Sequence, residues 1–199
     1  MVEQRLCSGG LACPGCAGRL TGWGRARTRV VRGSDGPTVV TPRRSRCSQC
    51  RATHVLLPVL LLVRRADAAA VIGAALAARA AGQGHRRVAA ALGRAPDTVR
   101  GWLRRFAARV DAVREVFTGW CRALDPDPVL PGPTGTAWAD ALAAIDAAAR
   151  AVHARFGAAG GGAVGGGSGV VVVPVWQVAV AGSAGRLLAP GWPASTARS

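Results

Sequence analysis

The sequence predicts a mainly α protein. A small β ribbon comes first, followed by a three-helix domain of the helix-turn-helix type and a long helical hairpin. Three observations support this fold class. Two Cys-x-x-Cys pairs flank a stretch rich in Thr, Val and Trp, which favours strands. Residues 85–109 contain two helical patterns separated by a glycine turn. Residues 103–124 and 138–156 carry apolar side chains at alternating steps of three and four, as packed helices do.

The ribbon is expected over residues 13–62, after a flexible arm at residues 1–12. Thr, Val and Trp alternate with Arg in this region, and the segment Gly33–Pro37 has the Gly, Asp and Pro of a turn. The predicted strands are residues 19–23, 28–32, 38–41 and 53–57.

The two Cys-x-x-Cys pairs favour a metal site. Each pair places two thiolates on one side of a tight turn, and two such turns complete a tetrahedral Zn²⁺ site. A ribbon this small has little core, so the metal would supply much of its folding free energy. The alternatives are a thioredoxin-like redox pair and cysteines placed by chance; the redox interpretation lacks a βαβ pattern and does not account for a second pair. The predicted Zn²⁺ ligands are Cys13, Cys16, Cys47 and Cys50.

Three further residues are weighed as ligands. Cys7 could substitute for one of the four cysteines, but a free thiol in the arm is favoured. His54 follows the second pair on a predicted strand, and a structural role is favoured because four cysteines suffice. Cys121 falls within a helical pattern and is interpreted as a small buried hydrophobic residue.

The helix-turn-helix domain is expected over residues 64–109. Its first helix runs from Arg64 to about Ala81, where glycines end it. The second helix ends at the turn Leu92-Gly93-Arg94, and the third begins near Pro96, since proline is tolerated in the first turn of a helix. The apolar faces of these last two helices comprise Val88, Ala89, Leu92, Val99, Trp102, Leu103 and Phe106.

Residues 110–156 have two interpretations. The apolar pattern runs through Arg109 without interruption, which predicts that the third helix continues to Leu124. That segment and the pattern over 138–156 could form an antiparallel hairpin within one chain. Alternatively, Leu103–Leu124 is a seam for homodimerisation that would fix the spacing of two DNA-reading helices. Beyond them we expect a Gly-rich linker at 157–169 and a tail at 170–199 without assigned structure, in which Val170–Val180 is either a strand or a docked apolar segment.

The charge is distributed unevenly. The net charge is +16, and all 26 basic residues are arginine. Residues 1–110 carry 20 Arg and 4 acidic residues, whereas residues 111–199 carry 6 of each. A codon bias towards Arg would affect both parts, so this asymmetry indicates a polyanion-binding surface in the first 110 residues. There is neither a signal-peptide pattern nor a run of about 18 apolar residues, so we expect a cytoplasmic, nucleoid-associated protein without membrane contact.

Two motifs resemble a known arrangement: RSRCSQCRATHVLLP at Arg44–Pro58 and RRVAAALGRAPDTVRGWLRRF at Arg86–Phe106. They resemble the zinc-ribbon and helix-turn-helix heads of insertion-sequence transposases. They are more similar still to uncharacterised actinobacterial helix-turn-helix proteins associated with transposase or integrase genes. The resemblance covers about residues 7–110 and is fairly specific for the DNA-binding module. It implies double-stranded DNA as a partner, and a transposase or integrase as a further one.

The catalytic body of such transposases is not predicted. Those enzymes bring three carboxylates together on metal ions in a large α/β domain. The acidic residues after position 110 lie on predicted helices or in a Pro-rich connector: Asp111, Glu115, Asp125, Asp127, Asp140 and Asp146. The glycine run also lacks the Lys-Ser/Thr of a phosphate-binding loop. We therefore expect no enzymatic activity.

The expected function is sequence-specific binding of double-stranded DNA, as a regulator or accessory factor of a mobile element. Arg100 is the best candidate base reader, because a guanidinium can bond guanine O6 and N7 together. Asp97 could accept from cytosine or cap its helix, and Thr98 could contact a phosphate or cap. The expected DNA-contact residues are Arg86, Arg87, Arg94, Asp97, Thr98, Arg100, Arg104 and Arg105. The alternative function is a protein-interaction module that recruits a transposase or another partner, with weak DNA contact.

Overall fold

The computed structural model of the chain describes residues 2–157 and 173–193. A small antiparallel sheet region is followed by several helices. The chain divides into two compact units, residues 1–58 and residues 59–199. Residues 59–62, expected in the ribbon, therefore fold with the helices, and both Leu61 and Leu62 are buried.

The first unit contains five strands in two sheets: β1 (Leu20–Arg25), β2 (Arg29–Arg32), β3 (Pro37–Val40), β4 (Arg43–Cys47) and β5 (Thr53–Leu56). Strand β4 is the central strand of the sheet β1-β4-β5, and β2 and β3 form a separate hairpin. All neighbouring strands are antiparallel. The β1–β4 register is interrupted between Gly22 and Arg25, where Gly24 has a φ of +77° that suits glycine. The three-stranded sheet supports the turns that carry the cysteines.

The expectation of a flexible arm at residues 1–12 differs from the structure. Residues Val2–Cys7 form a short helix, α1, whose Leu6 is buried with Leu20 and two of the cysteines. The helix packs against the ribbon because burying Leu6 adds apolar surface to a unit that otherwise has little of it. On the same helix, Oε1 of Glu3 lies 2.6 Å from Nε of Arg43.

Over its described residues, the second unit contains six helices: α2 (Ala69–Ala80), α3 (His85–Leu92), α4 (Pro96–Ala107), α5 (Val110–Leu124), α6 (Ala137–Phe156) and α7 (Val175–Gly182). Helix α3 ends at Leu92, the φ of +61° at the following Gly93 allows the chain to reverse, and Pro96 begins α4. Helix α2 begins at Ala69 rather than at Arg64, because the residues before it are held in an extended pairing. Leu61 and Ala68 form an antiparallel β-bridge, and the N–H of Ala69 donates a hydrogen bond to the carbonyl of Leu60.

The predicted continuation of the third helix through Arg109 is wrong. Helix α4 ends at Ala107 and α5 begins at Val110, with Arg109 at φ −138° and ψ 8° between them. The side chain of Arg109 donates to the carbonyl of Trp192 at 3.3 Å, so this break is tied to a distant part of the chain.

Helices α5 and α6 pack against each other within the chain, as the hairpin interpretation expects. Phe117 on α5 and Ile145 on α6 are both buried in one core with residues of α2, α3 and α4. Homodimerisation through Leu103–Leu124 stays a prediction. Any such contact would have to use the exposed sides of α4 and α5, because Phe106, Val113 and Phe117 are already fully buried.

The described part of the tail contains one helix, followed by turns. Helix α7 covers Val175–Gly182, and its Val178, Ala179 and Val180 are buried. Val170–Val180 is expected to be either a strand or a docked apolar segment. Its described residues are helical from Val175 onwards and pack into the helical core, which fits the docked segment. The Gly-rich linker at 157–169 lies outside the described residues except for Gly157. No helix among the described residues is long and apolar enough to span a bilayer.

Candidate functional site

The four predicted ligand cysteines lie on two backbone turns of the same form. In each turn the N–H of the first cysteine donates to the carbonyl five residues further on: Cys13 to Gly18 at 2.7 Å and Cys47 to Ala52 at 2.9 Å. The residue after the second cysteine has a positive φ in both turns, +58° at Ala17 and +63° at Arg51. The repeated hydrogen bond and backbone angle bring each pair of thiols to one side of its turn.

The two turns bring their thiols together. The Sγ atoms of Cys13, Cys16, Cys47 and Cys50 all lie within 4.8 Å of one another. Across the two turns, Cys13 and Cys50 are 3.7 Å apart, and Cys16 and Cys47 are 3.5 Å apart. This is the only group of three or more potential metal ligands among the described residues. The cluster is compatible with a metal site.

Electrostatics within the cluster also favour a cation. Burial raises the pKa of Cys47, but hydrogen bonds from backbone N–H groups and neighbouring thiols outweigh it and lower that pKa to about 6. At Cys50 a backbone hydrogen bond at Ala52 lowers the pKa, but the thiols of Cys16 and Cys47 raise it, and it reaches about 11. The neighbouring thiols therefore favour the ionisation of Cys47 and oppose that of Cys50. A bound dication would remove this opposition by pairing with every thiolate.

His54 and Cys7, the two other candidates, lie outside this group of four. His54 Nε2 lies 3.4 Å from Cys13 Sγ, within hydrogen-bond distance. A contact of this kind orients the Cys13 thiol. Cys7 is exposed at the end of α1. Cys121 is buried, and burial raises the pKa of its thiol, as expected for a small hydrophobic core residue.

Gly18 is a residue of the cluster that the sequence reasoning missed. A Cβ atom at this position would lie 2.9 Å from Cys47 Sγ and 2.8 Å from Oε1 of Gln49. The two turns can therefore approach each other only because residue 18 has no side chain. The motif CPGCAG contains a signal for this approach, since its last glycine follows the second cysteine by two residues.

The second candidate site is the outer surface of α3 and α4. Five of the eight expected DNA-contact residues are exposed there: Arg86, Arg87, Asp97, Arg100 and Arg104. Asp97 Oδ1 and Arg100 Nη2 are 3.1 Å apart, one helical turn from each other. Ala95 is the N-cap residue of α4, so neither Asp97 nor Thr98 occupies the capping position considered for them. Thr98 and Arg105 are half-buried, and Arg105 donates to the carbonyl of Gly101 at 2.9 Å.

Arg94 does not belong with the exposed residues. Its Nε donates to Oδ1 of Asp67 at 2.6 Å, and the Asp67 side chain is only 3% exposed. The guanidinium also donates to the carbonyl of Leu92 at 3.0 Å. Arg94 thus joins the segment before α2 to the α3–α4 turn through a structural ion pair, whereas its expected contact with DNA stays a prediction.

The basic side chains of the ribbon also divide into two groups. Arg43 donates to the carbonyl of Gly24 at 2.8 Å, and the guanidinium of Arg46 stacks 4.7 Å from the ring centre of Trp23. These two side chains support the sheet. Arg25 and Arg27, by contrast, are exposed.

The acidic residues after position 110 lie on helices or in the connector. Asp111 and Glu115 on α5 and Asp140 on α6 line a cavity of about 370 Å³ together with Arg114 and Arg122. Asp140 accepts hydrogen bonds from N and Oγ1 of Thr134 at 2.6 and 2.8 Å, which lower its pKa. Its carboxylate therefore holds the connector to the start of α6.

The comparisons with known proteins yield one match. Residues 13–102 match a family model described as "Domain of unknown function (DUF6431)". The matched stretch begins at the first cysteine of the cluster and ends at Trp102 in α4, so it includes all four cysteines, α2 and α3. Neither the curated proteins nor the solved structures contain a match to the chain.

Proposed function

We propose that the chain binds double-stranded DNA through a helix-turn-helix formed by α2, α3 and α4. The observation that supports this most directly is the division of α3 and α4 into two faces. Val88 and Val99 are buried in the core, whereas the arginines on the opposite sides of the same helices are exposed. Exposed arginines grouped on one surface attract the phosphate backbone of DNA, which dominates affinity.

In this proposal α4 is the recognition helix and Arg100 is its base reader. Arg100 is 67% exposed, and its contact with Asp97 restrains the guanidinium near the N-terminal half of the helix. A guanidinium there can bond guanine O6 and N7 together, which discriminates by about 1–3 kcal/mol against other bases. Arg86, Arg87 and Arg104 would position the helix by contacting phosphates.

The ribbon would bind Zn²⁺ through its four cysteines and extend the DNA contact. A tetrahedral site with Zn–S bonds of about 2.3 Å requires sulfur atoms about 3.8 Å apart. The two cross-turn distances of 3.5 and 3.7 Å are close to this value. The exposed Arg25 and Arg27 are then available for the DNA backbone. We place the protein as a regulator or accessory factor of a mobile element, without a catalytic step of its own.

A second candidate function is recruitment of a protein partner, such as a transposase, through the ribbon. It is favoured by Val30 and Val39, which face each other across β2 and β3 and are 55% and 67% exposed. Two exposed apolar side chains that are paired on an open hairpin can be buried against a protein surface, whereas a phosphate backbone gives them little to pack against.

The test measures, by fluorescence anisotropy at several salt concentrations, how tightly the Zn²⁺-loaded chain binds a random-sequence duplex. DNA binding predicts a steep loss of affinity with salt, because each neutralised phosphate contributes about −0.9 to the log–log slope. A slope near zero would contradict the DNA proposal and favour partner recruitment. Selection of bound sequences should then show that Arg100→Ala relaxes preference at one base position, while Arg155→Ala, on the exposed end of α6, leaves preference unchanged.

A further inference from the structure

A cavity of about 380 Å³ lies where the end of α2, the start of α3, the outer side of α4 and the start of α6 meet. Its polar lining consists of Arg79, His85, Arg100 and Arg104. Leu103 and Trp138 supply the apolar part of the wall. Four separate helices thus contribute to one small concave surface that the sequence did not indicate.

The charges around this cavity are all of one sign. Of the residues that the structure describes, three arginines line it and no carboxylate does. Within the described residues neither Arg79 nor Arg104 has an ion-pair partner, and the partner of Arg100 is Asp97, which is 85% exposed and outside the lining. A guanidinium cannot lose its proton at physiological pH, so these charges repel one another until an anion neutralises them.

The apolar wall is held in a fixed position. Trp138 Nε1 donates to the carbonyl of Leu76 at 3.0 Å, and its ring meets Phe106 edge-on at 4.8 Å. Leu103 beside it is 8% exposed. A rigid apolar wall keeps water away from one side of a bound anion, which strengthens the attraction between that anion and the arginines.

We propose that this cavity binds a phosphate group through Arg79 and Arg104, while Arg100 contributes positive charge to the cavity and keeps its donors for a base. The inference rests on the proposed DNA-binding function, because Arg100 and Arg104 also belong to the exposed surface of α4. It adds Arg79, from α2, to the contact and gives α6 a role in shaping it. The same chemistry would recognise a phosphodiester of the DNA backbone or the phosphate of a free nucleotide. Planar guanidinium groups suit both, since each can donate two parallel hydrogen bonds to phosphate oxygens.

The first arm of the test measures duplex affinity of the full, Zn²⁺-loaded chain and of its Arg79→Ala variant. Arg79→Ala should weaken binding about tenfold. It should also make the log–log dependence of affinity on salt (the salt slope) less steep by about 0.9. Base preference should not change. Replacing single phosphates of the duplex by neutral methylphosphonates should locate one position whose replacement weakens the wild type but not Arg79→Ala. The matched control is Arg155→Ala, which removes an exposed arginine far along α6 and should change neither quantity.

The second arm follows the indole N–H resonance of Trp138, assigned with Trp138→Phe, during titration with inorganic phosphate and with a nucleoside monophosphate. A shift that is absent in Arg79→Ala supports phosphate binding from solution. If Arg79→Ala binds duplex like the wild type and the Trp138 resonance does not move, the cavity proposal is overturned, while salt-dependent binding would leave the DNA proposal standing. If the wild type does not bind duplex at all, the DNA proposal fails, and the titration alone decides for or against the cavity.

Discussion

Arg94 lies in the turn between α3 and α4, where an arginine would be expected to face DNA, yet its guanidinium is directed into the domain. The side chain is 15% exposed and pairs with Asp67, which is 3% exposed. A charged pair in this position is costly to break, because the remaining carboxylate keeps its charge without its partner. Charge and sequence position alone did not distinguish this arginine from Arg86 or Arg100.

Arg94→Ala should therefore lower the free energy of unfolding by about 3 kcal/mol. Arg86→Ala, in the same region but exposed, should change it by less than about 0.5 kcal/mol. Urea denaturation followed by circular dichroism measures both variants under identical conditions. Equal stabilities for the two variants would contradict the structural assignment of Arg94.

Gly18 sets the approach of the two cysteine turns, so it can be tested separately from the cysteines. Gly18→Ala places a methyl group 2.9 Å from Cys47 Sγ, a distance too short for an undisturbed ligand. We expect weaker Zn²⁺ retention against a chelator, measured by native mass spectrometry. Gly15→Ala is the matched control, because its methyl group would be 4.0 Å from the nearest atom, Cys13 Sγ. If both variants keep Zn²⁺ equally well, close approach at Gly18 is not needed for the site.

At the scale of elements, sequence patterns predicted best where local geometry is sufficient. The spacing within each Cys-x-x-Cys pair indicated the cluster. Gly93 and Pro96 marked the end of α3 and the start of α4 to within a residue. Both signals depend on backbone preferences that a few neighbouring residues determine.

Elements that depend on distant partners were missed. Arg43–Cys47 has no strand pattern, but it becomes the central strand because β1 and β5 bond to its two edges. The break at Arg109 was hidden because the apolar spacing continues across it. Arg109 stabilises the break through the carbonyl of Trp192, a hydrogen bond that spans 83 residues of sequence. A periodic pattern reports which side of a helix is buried, not whether the helix is continuous.

Helix α7 docks on α2 through a glycine. A Cβ atom at Gly73 would lie 1.8 Å from the ring of Trp176, so the indole occupies the space that a side chain would need. Gly73 is buried in the middle of α2, where glycine normally costs about 1 kcal/mol relative to alanine. The packing of α7 accounts for the presence of glycine at this position.

Gly73→Ala should consequently destabilise the helical unit by about 1 kcal/mol or more, since overpacking outweighs the gain in helix propensity. Gly119→Ala on α5 is the matched control, because a Cβ atom there meets nothing within 4 Å. It should stabilise by up to about 1 kcal/mol. Thermal unfolding followed by circular dichroism compares the two. Stabilisation by both substitutions would show that Trp176 does not occupy the space beside Gly73.

At the scale of the whole molecule, the positive charge is shared between two parts of the chain. Residues 1–58 contain 10 Arg and 2 acidic residues, a net charge of 10 − 2 = +8. Residues 59–110 contain the same numbers and carry a further +8, whereas residues 111–199 are neutral. If the chain binds DNA as proposed, residues 1–58 and residues 59–110 bring equal charge to the contact. Electrostatic attraction to DNA depends on the number of phosphates neutralised rather than on which element supplies the charge.

If the ribbon binds the DNA backbone, replacing the exposed Arg25 and Arg27 and the half-buried Arg29 of β2 by serine in the full chain should make the log–log salt dependence less steep. The steepness of the salt slope should fall by up to about 2.7, because each phosphate that an arginine no longer neutralises removes about 0.9 from it. Base preference should be unchanged, because phosphate-binding side chains position the protein without reading sequence. The control replaces Arg122, Arg150 and Arg155, three exposed arginines of the neutral part, and removes the same charge. Equal slopes for the two triple variants would mean that net charge alone governs affinity. An unchanged slope in the ribbon variant would instead show that these arginines do not contact the DNA backbone, which leaves the exposed Val30 and Val39 as the candidate partner surface of the ribbon.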